Sequence, residues 1–438
     1  MTPDGRAFRS ALALRLSGAA FGAALLARTA SAQLTVDQVP QGRTVTTTDL
    51  VESEIERSRF RLGPIRLIPT FEVNEAGYDN NVFSRAEGET KVGDWTASVG
   101  AGGRAIVPIG SKFYVRAVVV PEYTWYDKLK DRRSWGGTYT GSILALGNRL
   151  SASLSGSYDR GTTLLNSETQ ALVIGTTFGG AANFEVNLTG KLSFVGGAEL
   201  EENRYSSRGV DPTAELDVAN FNRTDSAALV GFRFRLTPSL DLTAGTQGTR
   251  SEFKQDATER DNQTFAFLGG IHYDRPSFFV NLTAGYRKGE PFHGSAFPRY
   301  SATVGSYFVS WDVANPIELQ AYGNRHPAYS LFADELLYVE SRAGGAIVLQ
   351  PISRVGIRGF GDFGTNNYPV AFTVGGSTVK RVDDVVDYGG SVSVLVVGKT
   401  VVRVQGSRIH LKPNVAGVPQ RTVVRVFTSL SFNGELTR

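Results

Sequence analysis

The chain contains no cysteine in 438 residues. That absence removes disulfides, thiolate-bound metals and the lipidated N-terminal cysteine of a lipoprotein. Histidine is nearly as scarce. His272, His293, His326 and His410 are the whole set, and none stands in the paired helical spacing of a zinc hydrolase. No Gly-x-Ser-x-Gly elbow and no phosphate loop occurs. Beyond residue 32, no run reaches the roughly twenty apolar residues of a membrane-spanning helix. An excess of one charge is missing too. The 46 Lys and Arg face 42 Asp and Glu. Setting aside Arg6, Arg9, Arg15, Arg28 and Asp4 of the first 32 residues leaves 42 against 41. Bulk charge therefore gives no reason to expect nucleic acid or another polyanion as a partner.

Residues 1–32 read as a secretory signal peptide. Arg6, Arg9 and Arg15 give a basic start, Leu16–Leu26 a short apolar core, and Ala30-Ser31-Ala32 a small-residue cleavage signal. Residues 33–64 differ from the rest of the chain. They are rich in Thr, Val and Gln, then carry Glu52, Glu54, Glu56, Arg57 and Arg59. This segment is expected to be a periplasmic N-terminal extension with a short helix over Thr48–Arg59: a flexible tail, a plug, or an adaptor for a periplasmic partner.

From residue 65 to 438 the chain falls into eighteen amphipathic stretches, sixteen if 366–384 or 412–420 is misassigned. In Arg149-Leu150-Ser151-Ala152-Ser153-Leu154-Ser155 every second residue is polar, the period of a strand with two unlike faces. The connections alternate. One set is tight: Gly110, Gly147-Asn148, Thr189-Gly190, Pro238, Arg275-Pro276, Asn315-Pro316, Ile352 and Gly398-Lys399. The other set is longer and more polar, from 79–94 to 412–420. Short turns at one end and long loops at the other predict an all-β fold, an up-and-down transmembrane β-barrel of the Gram-negative outer membrane.

The parity of the alternation sorts the side chains. Leu150/Leu154, Phe194/Leu200, Phe278/Leu282 and Val424/Val426 are expected outside. Ser151/Ser153/Ser155, Thr243/Gln247/Thr249 and Ser301/Thr303/Gly305 are expected inside, facing a water-filled lumen. The charged pore lining expected from parity is Lys112, Arg116, Glu122, Arg149, Lys191, Glu199, Glu201, Arg233, Arg235, Glu340, Arg354, Arg358, Arg403 and Arg425. These charges either set a transverse field across the pore or pair with one another. Trp95, Trp125 and Trp135 flank long loops, and Trp311 lies near a short turn, as interfacial girdles do. No long connection stands out as a loop folded into the pore, so narrowing is expected from side chains or from residues 33–64. No cofactor, metal or catalytic residue is expected. Asp79-Asn80-Asn81 with Glu87 and Glu89 reads as a polar turn before a Ca²⁺ site, and His272 as a polar lumenal residue before a catalytic base.

The segment Phe60-Arg61-Leu62-Gly63-Pro64-Ile65-Arg66-Leu67-Ile68-Pro69-Thr70-Phe71, with Gly77-Tyr78-Asp79-Asn80-Asn81-Val82-Phe83 after it, resembles the start of a family of outer-membrane β-barrel porins. Genes of that family often stand beside exopolysaccharide synthesis and export genes. The resemblance covers some twenty-five residues, and only Gly77–Phe83 transfers, as the first external turn. It implies passage of small polar solutes or export of a polysaccharide. The alternatives are a structural or adhesin-type closed barrel and, last, an outer-membrane hydrolase. The partners expected are outer-membrane lipid and lipopolysaccharide, the barrel-assembly machinery, and a polysaccharide or its periplasmic export components.

Overall fold

A computed structural model describes residues 47–58, 60–208, 218–331, 335–374, 377–396, 399–415 and 418–432. Residues 1–32, expected to be a signal peptide, lie outside that set. A helix, α1 (Thr47–Arg57), precedes a short strand β1 (Phe60–Leu62), which pairs with β2 (Ile65–Asp79) across Gly63-Pro64. The wall continues through β3 (Asp94–Ile109), β4 (Phe113–Tyr126), β5 (Ser134–Leu146), β6 (Leu150–Leu164), β7 (Leu172–Asn187) and β8 (Leu192–Ser206). Next come β9 (Arg223–Thr237), β10 (Leu240–Phe253), β11 (Asn262–Arg275), β12 (Phe278–Pro291), β13 (Tyr300–Ala314) and β14 (Ile317–Tyr329). It ends with β15 (Leu337–Ile352), β16 (Val355–Val374), β17 (Ser377–Leu395), β18 (Thr400–Pro413) and β19 (Arg421–Phe432). Each of these strands pairs antiparallel with its neighbours in sequence, and β19 pairs back onto β2. The barrel therefore has eighteen strands and no open edge.

Burial confirms that the faces are inverted relative to a soluble domain. Ile143 and Leu154, on the outer face, are 54% and 59% exposed, whereas Ser142, one residue along, is 4% exposed. Val99, Val119, Phe267, Ile347 and Phe363 continue this exposed apolar face around the wall. A soluble protein seldom leaves so large a continuous apolar surface uncovered. Seven of the eight tight turns fall where the sequence places them, among them Gly110 in a left-handed conformation (φ 67°) that favours glycine, and Gly398 of the eighth lies outside the described residues.

Two expectations need correction. The stretch 366–384 is not a loop: β16 and β17 continue outward and pair as far as Val374 with Ser377. Ser301, Thr303 and Gly305 face outward, because their partners across the ladder are Lys288, Tyr286 and Ala284 on the outer face of β12. The inward residues of β13 are instead Ala302, Val304, Ser306 and Phe308, all buried.

The seam between β19 and β2 explains the Gly77–Phe83 motif. A Cβ on Gly77 would stand 1.9 Å from the Val426 carbonyl oxygen, so only glycine lets the two strands close. Asp79 then accepts a hydrogen bond from Arg425 Nε at 2.9 Å. Asn80 Oδ1 accepts from the Val424 N–H (2.8 Å), and Asn81 accepts from the Arg85 N–H (2.9 Å) while donating to the Thr422 carbonyl. These amides, expected to form a plain turn, clamp the first loop to the last strand. Gly77→Val should abolish closure. The refolded protein would lose the heat-dependent shift in gel mobility that marks a closed barrel, and wild-type yields of shifted protein would disprove the role of the glycine.

Candidate pore

At its short-turn end, α1 lies in the lumen against the inner wall of β3 to β5. Val51, Glu54, Ile55 and Ser58 recur at helical spacing on one face. Val51 is buried against Ile106 of β3 and Leu144 of β5, with Ile55 and Tyr114 packed on the same cluster. Both Glu54 oxygens accept from Arg116 of β4, at 2.6 and 2.7 Å, and Arg104 lies 3.6 Å away. Eleven residues are marginal as a free helix. Burying one valine contributes about 1.5–3 kcal/mol, which does not offset an ordering cost of about 1–2 kcal/mol per residue. The docked helix thus depends on its polar anchor as well as on packing. On the opposite wall, Phe279, Phe308, Tyr322 and Ala346 form an apolar cluster with Phe360. Inward parity and the ladder partners of these residues place them in the lumen, so the inner half is narrowed from two sides. This aromatic patch breaks the expectation of a uniformly Ser- and Thr-lined interior.

At the long-loop end the expectation of no inward loop is overturned. Residues 165–171, between β6 and β7, fold across the lumen to strands eight or nine places around the ring. Glu168 is fully buried and accepts hydrogen bonds from Ser330 Oγ (2.8 Å), the Leu331 N–H (2.8 Å) and the Tyr368 hydroxyl (2.6 Å). Ser167 bonds to Tyr338, Glu340 and Asn366. Arg132 donates to the Leu172 carbonyl and Arg421 to that of Glu168. Leu165 and Val173 pack with Val218 and Phe221 from the next long loop, and with Tyr205, Tyr329 and Leu331. A net hydrogen bond is worth about 0.5–1.5 kcal/mol, so the several made by Glu168 and Ser167 together hold a loop this short in place. Beneath the loop, against β8 to β15, lies a chamber of about 500 Å³ whose lining includes Glu199, Glu201, Arg223, Asp225, Tyr329 and Tyr338.

The sequence-derived lining divides into two groups. Glu122, Glu199, Glu201, Arg233, Arg235, Glu340, Arg358, Arg403, Arg425 and Arg116 sit at inward positions of the ladders. Lys112, Arg149, Lys191 and Arg354 are exposed in the short turns, at the rim and not on the wall. Most inward arginines are already neutralised. Arg116 binds Glu54, Arg233 binds Glu185, Arg235 lies 3.4 Å from Asp241, and Arg342 lies 3.8 Å from Glu340. Arg425 is held by Asp79. Arg403 donates to Ser393 Oγ and Arg358 stacks over Phe360; among the described residues neither has a carboxylate within about 4 Å, and Arg358 feels the charge of Asp362 from further off. Trp95, Trp125, Trp135 and Trp311 point outward, the first three at the long-loop ends of their strands and the last near the opposite end. His272 packs edge-on against Phe279.

Several residues of this arrangement escaped the sequence reading: Asp159, Glu185, Arg223, Asp225, Arg287, Asp362, Asp387 and the loop residue Glu168. Parity alone could have found the strand residues. Apart from Asn166, which donates to it at 3.2 Å, the partners of Glu168 lie more than 160 positions along the chain, so local sequence does not reveal its role.

No protein-family model matches this chain, and no curated relative matches it. Solved structures do. OccAB3 of Acinetobacter baumannii superposes with a TM-score of 0.50 at 11% identity, over 84% of this chain and 99% of that one. Pseudomonas aeruginosa OccK2 (OpdF), in complex with glucuronate, gives 0.50 at 10% identity over 84% and 98%. A BenF-like porin from Pseudomonas fluorescens Pf-5 gives 0.50 at 9% over 84% and 98%. At identities this low the likeness shows the shared fold alone, a closed antiparallel β-barrel.

Glu54→Gln would leave Arg116 buried without its counter-charge, a loss of about 3–5 kcal/mol. The helix should then leave the wall, and single-channel conductance should rise above wild type. An unchanged conductance would mean that α1 does not obstruct the pore.

The loop layer should also respond to pH. Glu335, beside it, is pushed up to about 7 by burial, against the pull of Arg381 at 3.3 Å. Burial raises Glu168 as well, although hydrogen bonds from Tyr368, Leu331 and Ser330 oppose it. A carboxyl with a higher pKa when folded favours the ordered layer while protonated. Its contribution is complete below the ordinary carboxylate range of about 4 and is lost as the pH rises through about 7. Open-channel current noise should therefore grow between pH 5 and pH 8.5, and Glu335→Gln should keep the current quiet throughout. Noise that grows on acidification, or is the same in the variant, would contradict this.

Proposed function

We propose that the barrel spans the outer membrane of a Gram-negative bacterium and passes small polar solutes by diffusion. The observation that carries this reading is the inversion of faces. Exposed Val, Leu, Ile and Phe form the outer wall, while Ser, Thr, Asn and charged residues surround a solute-sized chamber. An aqueous path through an apolar surround is what such a cross-section provides. Solutes would enter past loop 165–171, rest in the chamber, and leave between α1 and the aromatic cluster.

The field along that path is local, because ion pairs cancel most of the basic lining. Arg358 and Arg403 give a cationic spot on β16 and β18. Across the ring, β8 and β9 carry Glu199, Glu201 and Asp225 together with Arg223, deeper towards the long loops. A solute carrying both signs, or none, meets the lowest barrier in such an arrangement. Export of a polysaccharide has support only from the resemblance of Phe60–Phe83, and the helix on the inner wall and the loop across the lumen weigh against threading a polymer. A closed, structural barrel is favoured by the docked helix. Among the described residues no serine partners His272, and the hydrolase reading has no further support.

The test is electrical. The refolded mature barrel in a planar bilayer should give steady, ohmic single-channel steps. Arg358→Gln with Arg403→Gln should move the reversal potential towards cation selectivity. Silence from a barrel shown to be folded, persisting in Glu54→Gln, would replace the channel by the structural reading.

A further inference from the structure

The outer wall carries a second concavity, away from the pore. It lies on β9 to β12 near the long-loop end and measures about 610 Å³. Ladder register orders its residues by height. Ala228 and Gly248 pair across β9 and β10 and form a floor without side-chain bulk. Phe265, 48% exposed, makes one side, stacked edge-on with Phe267 at 4.9 Å between centroids. Arg250 and Lys288 stand at the rim. Arg250 lies over the Phe292 ring at 3.7 Å, and its guanidinium is 3.7 Å from Glu252, a loose and exposed pair. Lys288 is exposed, and no carboxylate partners it among the described residues. Glu290 also lines the groove, two residues further out than Lys288, as Glu252 is two beyond Arg250.

From the wall's apolar band outward, the surface thus runs from bare backbone and phenyl rings to two cations and then to carboxylates. An amphiphile has the same order: an acyl chain, a phosphate, then hydroxyls that donate to carboxylates. We infer that this groove holds one phosphorylated acyl lipid of the surrounding leaflet, its chain along Ala228 and Gly248 and its phosphate between Arg250 and Lys288. The inference rests on the barrel's place in a membrane, but not on conduction. The cations reach the phosphate by extending their stems along apolar surface, keeping the charge at headgroup level. Basic pockets of this kind recognise anionic headgroups.

Native mass spectrometry of the refolded mature chain in detergent, titrated with phosphatidylglycerol and with diacylglycerol, tests this. One phosphatidylglycerol should stay bound per barrel, and diacylglycerol should bind far more weakly. Arg250→Gln with Lys288→Gln should weaken retention roughly thirty-fold, the effect of two basic residues beside an anionic headgroup. Single-channel conductance should be unchanged in that variant, which separates this outcome from any failure of the channel reading. Ala228→Trp, which fills the floor, should release the lipid while the gel-mobility shift of the closed barrel persists. Equal binding of the two lipids would overturn the inference, as would full retention by the double variant. Competition by inorganic phosphate at the lipid's own affinity would reduce the groove to a phosphate site. If Ala228→Trp instead breaks an oligomer and leaves lipid retention intact, the occupant is a second copy of the chain, and the inference fails.

Discussion

Everything in this molecule depends on the junction of its last strand with its first. Until β19 meets β2, two strands of fourteen or so unpaired backbone groups face an apolar surround in which each unmet group costs several kcal/mol. Closure removes that cost in a single step, and the chain commits its most specific residues to it. Gly77 allows the approach, Asp79 takes Arg425, and Asn80 and Asn81 tie the first loop to β19. The same closure fixes parity for every other strand. Once one side chain of the seam is inside, the two-residue period places all the others.

That dependence explains what could be read from the sequence. Where large apolar residues alternate with serine, as in β6, the period alone gives strand, face and turn. The same holds for β8 and β19, whose outward Leu, Phe and Val were assigned correctly. Parity failed on β13, where the outward residues above Tyr307 are Ser301, Thr303 and Gly305. There the wall has risen above its apolar band, so polarity no longer distinguishes outside from inside. The stretch 366–384 misled for a related reason: a hairpin standing in water needs no apolar face, so it reads as loop.

The pore itself was less legible, because its shape is set by contacts between distant segments. The inward charges could be named from parity, but whether Arg233 contributes a field depends on Glu185, and whether Arg116 does depends on Glu54. Neither pairing can be inferred from spacing. Loop 165–171 is the extreme case. Its seven residues are unremarkable in composition, and what folds them inward is a set of acceptors and donors from β15, β16, β19 and the loop after β14. Local sequence carries no signal for partners so far along the chain.

A closed barrel also restricts how such a pore can be regulated. Its wall cannot part without breaking ladder hydrogen bonds on both sides of a strand, and the ladders are continuous from β2 to β19. The elements free to move are those bound to the wall by side chains alone. Among the described residues, α1 at the short-turn end and loop 165–171 at the other are bound in this way, and each has a buried carboxyl among its anchors, Glu54 or Glu168. The two anchors differ in kind. Glu54 is gripped at both oxygens by one guanidinium, that of Arg116. Glu168 is held by two hydroxyls, the Leu331 N–H and the Asn166 side-chain amide, in a setting where ionisation is disfavoured by burial. The inner constriction is therefore built to stay and the outer one to respond, and any control of passage through this barrel belongs at its long-loop end.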